Sequence, residues 1–538
     1  MKNKYFDTFG VMIDMSRNAV MSVEGLKDYL PILKKMGYNA LLLYTEDVYE
    51  IEEQPYFGYM RGRYTKEEMK ELDAFAESIG MTIIPCIQTL AHLEAFVRWG
   101  KVPVDYRNIL LPEDEQTYEF IDQMFKTTSE CFKSRRIHVG MDEAWMLGRG
   151  KYLDLHGYEK ISTIMKRHLD KVMEIAKKYD YEVMLWSDMY FRQWNNGNKY
   201  APGKCQVPQE IIDSFPQEAI PVYWDYYKIK EEEYDDMIYN HLQISKNTWF
   251  AGGAWCWVGI TPLNKFTINS MCPAMDACRK NGIRNVFMTL WGDDGAECSR
   301  YSVLASLYYV AQYAQGIKDI DKIRKGFKRI VGAEFDDFMK LDLPNDVVEI
   351  TTYAKNPSKY MMYSDYFLGF LDYTAPRNVS ETYAQYAKEL HAAAKKSRKY
   401  RYLFDCAAKH CELLELKFEL GMKTREAYEA GNKDELRRLA VEDYTEVAKR
   451  FKKFGASFQK QWDMENKPHG FDVQDHRLGA MIYRTEDCKK RILAYVNGEV
   501  DRIPELEEKI LPYGSCGKGG NFNKSFFFAT PNIVYHNP

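Results

Sequence analysis

"GVMIDMSRNAVMSVEGLKDYLPILKKMGYNALLLY", residues 10–44, holds one complete structural unit. Two apolar runs, GVMID (10–14) and NALLLY (39–44), flank a stretch over 23–36 whose apolar residues recur at helical spacing. Strand, amphipathic helix and strand follow in that order. No glycine-rich phosphate loop follows the first strand, as a nucleotide-binding open sheet would require.

Outward from this unit the pattern repeats. Helices are expected around 66–79, 114–132 and 157–178. Strands are expected at MTIIPCI (81–87), IHVG (137–140), EVMLW (182–186), IPVYW (220–224), TWFAGGAW (248–255) and NVFMTLW (285–291). Eight strand–helix units in about 320 residues predict an α/β fold of the (β/α)8 TIM-barrel type over 1–335, with a doubly wound sheet as the alternative. Beyond it the texture changes: 381–430, 433–462 and 484–510 have helical periodicity and many Lys and Glu, so 336–538 is expected to be a mostly helical C-terminal domain. One segment there, WDMENKPHGFDVQDHRLG (462–479), reads as a polar, non-helical connection rich in acids and donors.

The chain of 538 residues is 46% hydrophobic and 28% charged, with net charge −4, so it has no general attraction for nucleic acid or anionic membrane. The basic runs KKSRKYR (395–401) and KRFKKF (449–454) lie inside helical patterns and read as solvated faces. No secretory leader and no apolar run of about 18 residues is visible. The 11 cysteines are scattered singly, without zinc spacing, and read as reduced thiols. A cytoplasmic enzyme without metal or organic cofactor is the expectation.

A barrel keeps its chemistry at the C-terminal ends of its strands. Here those ends read DMSRN, YTED, QTLAH, MDEAW, WSDMY, WDYY, AWCW and WGDDGAE. Any one end has a bland explanation, a plugging tryptophan or a solvated acid. The set does not, because five of the eight combine Trp or Tyr with an acid. Aromatic faces stack on sugar C–H faces while carboxylates bond hydroxyls, so the set describes a sugar-binding bowl.

Asp142 and Glu143 are adjacent at the fourth strand end, in RIHVGMDEAW (136–145). Ordinary glycosidases set two carboxylates on opposite sides of the scissile bond, about 5 Å or 6.5–9.5 Å apart, which neighbours in sequence do poorly. From one side, Glu143 can protonate the leaving oxygen while Asp142 holds a substrate group. If the sugar carries a 2-acetamido group, its own carbonyl oxygen can attack the anomeric carbon, with Asp142 orienting the amide. The like charge of Asp142 should keep Glu143 protonated.

HVGMDEAW (138–145) resembles the His-x-Gly-x-Asp-Glu signature of glycoside hydrolase family 20, the β-N-acetylhexosaminidases, and LWSD, YWD and LWGDDG follow in that family's order. With a barrel followed by a helical domain, the chain is most similar to the bacterial exo-β-N-acetylglucosaminidases of the GcnA type, which lack an N-terminal accessory domain. The resemblance implies a retaining exo-enzyme that removes terminal β-linked GlcNAc, or GalNAc, from oligosaccharides or glycoconjugates through an oxazolinium intermediate. It implies Asp142 as the acetamido-orienting acid and Glu143 as the general acid/base. Trp186, Trp224 and Trp291 match the aromatic box, Asp293 the acid on O4 or O6, and His92 a support for Asp142. His138, inside the strand, reads as a structural core histidine.

Two positions depart from the family. Where members carry His-Arg-Gly, whose Arg grips O3 and O4, this chain has Thr8-Phe9-Gly10. The Tyr that members place after strand seven is missing from AWCWVG, and Tyr226 or Tyr227 after strand six is expected to replace it. Candidates for the missing Arg are Arg17 and, preferred, Arg477 with Glu465 or Asp472 in the 462–479 segment. That segment would reach over its own bowl or a neighbour's in a homodimer. A non-catalytic amino-sugar-binding protein is the alternative from another class.

Overall fold

The computed structural model describes residues 4–199, 203–350 and 354–511. Its core is a closed barrel of eight parallel strands, each paired with its neighbours in chain order. They are β1 (Thr8–Asp14), β2 (Ala40–Tyr44), β3 (Thr82–Cys86), β4 (Arg136–His138), β5 (Glu182–Trp186), β6 (Ile220–Trp224), β7 (Trp249–Gly253) and β8 (Asn285–Leu290). β8 closes on β1 in a register running from Thr8↔Asn285 to Ile13↔Leu290.

Local chemistry sets the boundaries. The helix Val23–Met36 starts at Ser22, whose hydroxyl accepts the Gly25 N–H at 3.0 Å, and stops at Gly37 in the left-handed region (φ 109°). The helix Lys66–Ser78 opens on a Thr65–Glu68 capping box. β5 and β6 occupy the residues expected. β4 is shorter than expected and ends at His138, because Gly140 (φ 72°) and Met141 (φ 71°) turn the chain out of the extended region. It meets β3 at a single register position, Cys86↔His138, at the C-terminal ends of both strands, and beyond it Ile87 N–H donates to His138 O at 2.8 Å and Thr89 N–H to Val139 O at 3.1 Å.

The C-terminal part is helical, as expected. Arg401–Glu429 packs against Ser380–Lys396 and Thr445–Glu465, and Phe471–Val496 packs against the last of these. Two expectations need correction. The polar segment 462–479 is not a long loop: Thr445–Glu465 runs to Glu465, and Phe471–Val496 begins after five connecting residues. Gly470, left-handed at φ 89°, turns the chain there, and a Cβ on it would meet Asn18 O at 2.5 Å. The helical stretch expected over 484–510 is instead the helix Phe471–Val496 followed by a short helix, Pro504–Glu507.

That short connection docks on the barrel top. Ser22 N–H donates to Glu465 O at 3.0 Å and Lys467 N–H to Val20 O at 2.8 Å, while Lys467 Nζ pairs with Glu68 at 2.7 Å. Among the described residues, no helix is long and apolar enough to cross a membrane.

Candidate active site

At the C-terminal end of the barrel lies a cavity of about 160 Å³. It is walled by Arg17, Tyr44, His92, Asp142, Glu143, Trp186, Lys199, Trp224, Tyr226, Tyr227, Trp291 and Asp293. The backbone around it is strained. Glu46, His92, Met141, Glu143 and Asp293 all have positive φ without being glycine, a conformation that persists only where surrounding contacts impose it.

Asp142 sits in the middle of a buried polar chain. Its Oδ1 accepts from Gln88 Nε2 at 2.9 Å, and its Oδ2 stands 3.3 Å from His92 Nε2. Gln88 is held in turn: Met141 N–H donates to its Oε1 at 3.2 Å, and its amide also donates to Tyr44 Oη at 2.9 Å. Tyr44 Oη donates to Glu46 Oε1 at 3.0 Å, and the Arg17 guanidinium pairs with that same oxygen at 3.0 Å. Gly140 makes the arrangement possible, because a Cβ there would lie 2.0 Å from Gln88 Oε1.

Electrostatics separate the two acids. Burial works against an ionised Asp142, but His92 and Gln88 outweigh it and hold the carboxyl below its usual range. His92 is also buried, yet Asp142 and Glu46 keep it protonated, its pKa raised to about 10. Glu143 goes the other way: burial and the Asp142 charge raise it, against the pull of His92, Lys199 and Arg192. One carboxylate stays ionised while its neighbour holds a proton longer, the division that acid catalysis needs.

The third acid is Asp188, just past β5 and 2% exposed. Its Oδ2 accepts the Glu143 N–H at 3.3 Å and the Arg192 Nε–H at 3.2 Å. Burial and Asp142 push its carboxyl up to about 6.

The aromatic wall is built in layers. Trp186 is buried at the base, tilted against His138 at 4.3 Å and against Trp291 at 5.9 Å. The indole N–H groups of Trp186 and Trp291 are buried and have no acceptor among the described residues. Trp224 and Tyr226, two residues apart and so on one side of the chain, stack at 5.6 Å. Trp255 and Trp257 of AWCW brace Tyr226 from behind, edge-on at 5.9 and 5.1 Å.

Residues 6–209 match the catalytic domain of glycosyl hydrolase family 20, and residues 336–522 match the Glycoside Hydrolase 20C C-terminal domain. The chain belongs to glycoside hydrolase family 20. Hexosaminidase D of Bos taurus is 24% identical over 220 residues, 37% of this chain and 58% of that protein. Hexosaminidase D of Homo sapiens is 24% identical over 229 residues, 39% of this chain and 43% of that protein. The chain thus spans about half the length of these relatives. Among solved structures, the exo β-N-acetylglucosaminidase of Vibrio harveyi in complex with N-acetylglucosamine is 17% identical, with TM-score 0.46 over 63% of this chain and 58% of that one.

Of the site residues expected from the sequence, this family 20 chain brings ten to the cavity wall: Arg17, His92, Asp142, Glu143, Trp186, Trp224, Tyr226, Tyr227, Trp291 and Asp293. His138 is fully buried, its Nδ1 accepts the Gly140 N–H at 3.1 Å, and burial drives its pKa down to about 3, so it is a neutral brace for Trp186. Phe9 lies near the start of β1, away from the strand's C-terminal end, and stacks on Tyr38 at 4.7 Å. The arginine that strand one does bring to the cavity is Arg17.

Two expected residues do not line this cavity, though Arg477 lines an adjoining one of about 440 Å³ that shares Arg17 and Asp293. Glu465 is 1% exposed beneath the barrel rim, where it accepts from Ser299 Oγ at 2.5 Å. Arg477 does reach the loop after β8, but its guanidinium binds Asp294 Oδ1 at 3.1 Å and Glu297 Oε1 at 3.0 Å, and it does not line the cavity. Lys359 Nζ joins both acids, at 3.0 and 2.5 Å. Arg477→Ala is therefore expected to act on stability first. Breaking a buried ion pair costs about 3 kcal/mol, softened here because Lys359 remains. The expected result is a lower thermal unfolding midpoint, with KM rising only as far as the adjacent Asp293 is loosened. A raised KM with unchanged unfolding would place Arg477 on the sugar after all.

Gln88, Tyr44, Glu46, Asp188 and Lys199 were not picked out from the sequence. The first four stand in strand-end stretches already notable for polar residues. Lys199 does not: it lies in the long connection after β5, and only the fold shows its Nζ 3.9 Å from the centre of the Trp224 ring.

Proposed function

We propose that this chain is a retaining exo-β-N-acetylhexosaminidase acting on terminal β-linked GlcNAc, with the substrate's acetamido oxygen as nucleophile. The observation that carries this reading is the split between two adjacent acids. Asp142 is held ionised between Gln88 and His92, and Glu143 is biased toward its protonated form.

In the first step Asp142 accepts the amide N–H and aims the acetamido oxygen at the anomeric carbon. The C1–O bond to the leaving group breaks, Glu143 gives its proton to the departing oxygen, and an oxazolinium forms, its positive charge facing Asp142. Water then attacks C1 from the vacated side, Glu143 takes its proton, and the ring oxygen–C1 bond of the oxazoline opens. Two inversions give net retention. The box of Trp186, Trp224 and Trp291 encloses the N-acetyl group and excludes water from the cation. Arg17 and Asp293, on one side of the cavity, hold the outer hydroxyls, so Arg17 performs the task that the family assigns to an arginine at the Phe9 position.

The test compares 4-nitrophenyl glycosides. β-GlcNAc should be hydrolysed, with β-GalNAc reporting the selectivity at O4, and the β-glucoside, lacking the nucleophile, should be slower by several orders of magnitude. Comparable turnover of the glucoside would overturn the mechanism, and no turnover of any would favour a sugar-binding protein. The pH profile carries a second check. Glu143 must be protonated, so activity falls as pH rises through its elevated pKa. Asp142 must be ionised, so activity holds until pH falls below the usual carboxylate range.

A further inference from the structure

Trp145 stands two residues beyond Glu143 and is 53% exposed, the most exposed of the 10 tryptophans. Leaving half an indole in water forgoes burial that a core position would supply. The ring is nonetheless fixed. The Arg192 guanidinium lies 4.7 Å from its centre, and Arg192 Nε is anchored to Asp188 Oδ2 at 3.2 Å. That oxygen also accepts the Glu143 N–H at 3.3 Å, and the Trp145 N–H donates to Glu143 O at 2.8 Å. One buried carboxylate therefore sets the position of both the acid's backbone and the cation that stacks on the exposed ring.

The proton of Glu143 goes to the glycosidic oxygen, so the leaving group begins within a bond or two of that carboxyl. Trp145 does not line the cavity that would enclose the terminal sugar. It is an ordered, solvent-facing aromatic surface on the acid's side, with a cation holding part of it and the rest open.

We propose that Trp145, braced by Arg192, is the platform for the first sugar on the leaving side, a pyranose whose C–H face stacks on the indole. This rests on the hydrolase reading above and deepens it. The substrates are then oligosaccharides with a second ring at the cleaved bond, rather than glycosides of small alcohols or hydroxy amino acids, which have no flat C–H face to offer.

The experiment uses the full chain as wild type, Trp145→Ala and Trp145→Phe. Each is assayed on N,N′-diacetylchitobiose and on methyl β-GlcNAc, whose leaving group has no ring. Trp145→Ala should lower the ratio of kcat/KM for the disaccharide over the methyl glycoside by about tenfold, mainly through KM on the disaccharide. Trp145→Phe should recover most of that ratio. A purely structural role would depress both substrates together, and a wild-type ratio with Trp145→Ala overturns the proposal. Wild-type turnover of these substrates tests the hydrolase reading separately. If neither is cleaved, this proposal falls with that reading.

Discussion

Glu143→Gln is expected to lower kcat/KM on methyl β-GlcNAc by about three orders of magnitude, but on a 2,4-dinitrophenyl glycoside by no more than about tenfold. The reason is the proton. Methoxide is a poor leaving group and needs the acid, whereas dinitrophenolate leaves without it. Gln keeps the size of Glu143, and the backbone hydrogen bond to Asp188 involves the main-chain N–H, so the loop should hold its course. Asp142→Asn should spare neither substrate, losing about two to three orders of magnitude on both, the scale of removing one preorganised charge from an active site. It misplaces the internal nucleophile, and it leaves the buried His92 cation without the carboxylate 3.3 Å away. Circular dichroism should show both variants folded. Equal losses on the two leaving groups for Glu143→Gln would assign the acid role elsewhere.

Much of this site was legible because its signals are local. β5 and β6 lie where their apolar runs end in tryptophan, and Asp142 and Glu143 are neighbours whose motif includes the Gly140 that turns the chain. What was not legible depends on how distant segments meet. Gln88 matters because the segments beyond β3 and β4 stay bonded side by side and Gly140 leaves room for its amide, which neither segment reveals alone. Arg17 and Arg477 are equivalent as text. Position separates them: Arg17 leaves β1 beside the cavity, while the helix Phe471–Val496 delivers Arg477 to the acids of the β8 loop. Pro468 and Gly470 lie in the short break between the two helices, but the acids and donors after them belong to the first turns of a helix, not to a long loop. Lys199 had no motif to announce it.

The claim that the substrate supplies its own nucleophile has its most direct test in a thiazoline analogue of GlcNAc, which copies the oxazolinium ring. Its positive charge, once protonated, would face the ionised Asp142, and its bicyclic shape would fill the cavity under Trp186, Trp224 and Trp291. Intermediate and transition-state mimics gain at least about a hundredfold over ground-state ligands where the site is built for the transition state. Calorimetric titration should show the thiazoline binding the wild type at least about a hundredfold tighter than GlcNAc, with most of that margin lost in Asp142→Asn. A thiazoline that binds the wild type no better than GlcNAc would contradict the account and point to a nucleophile on the protein.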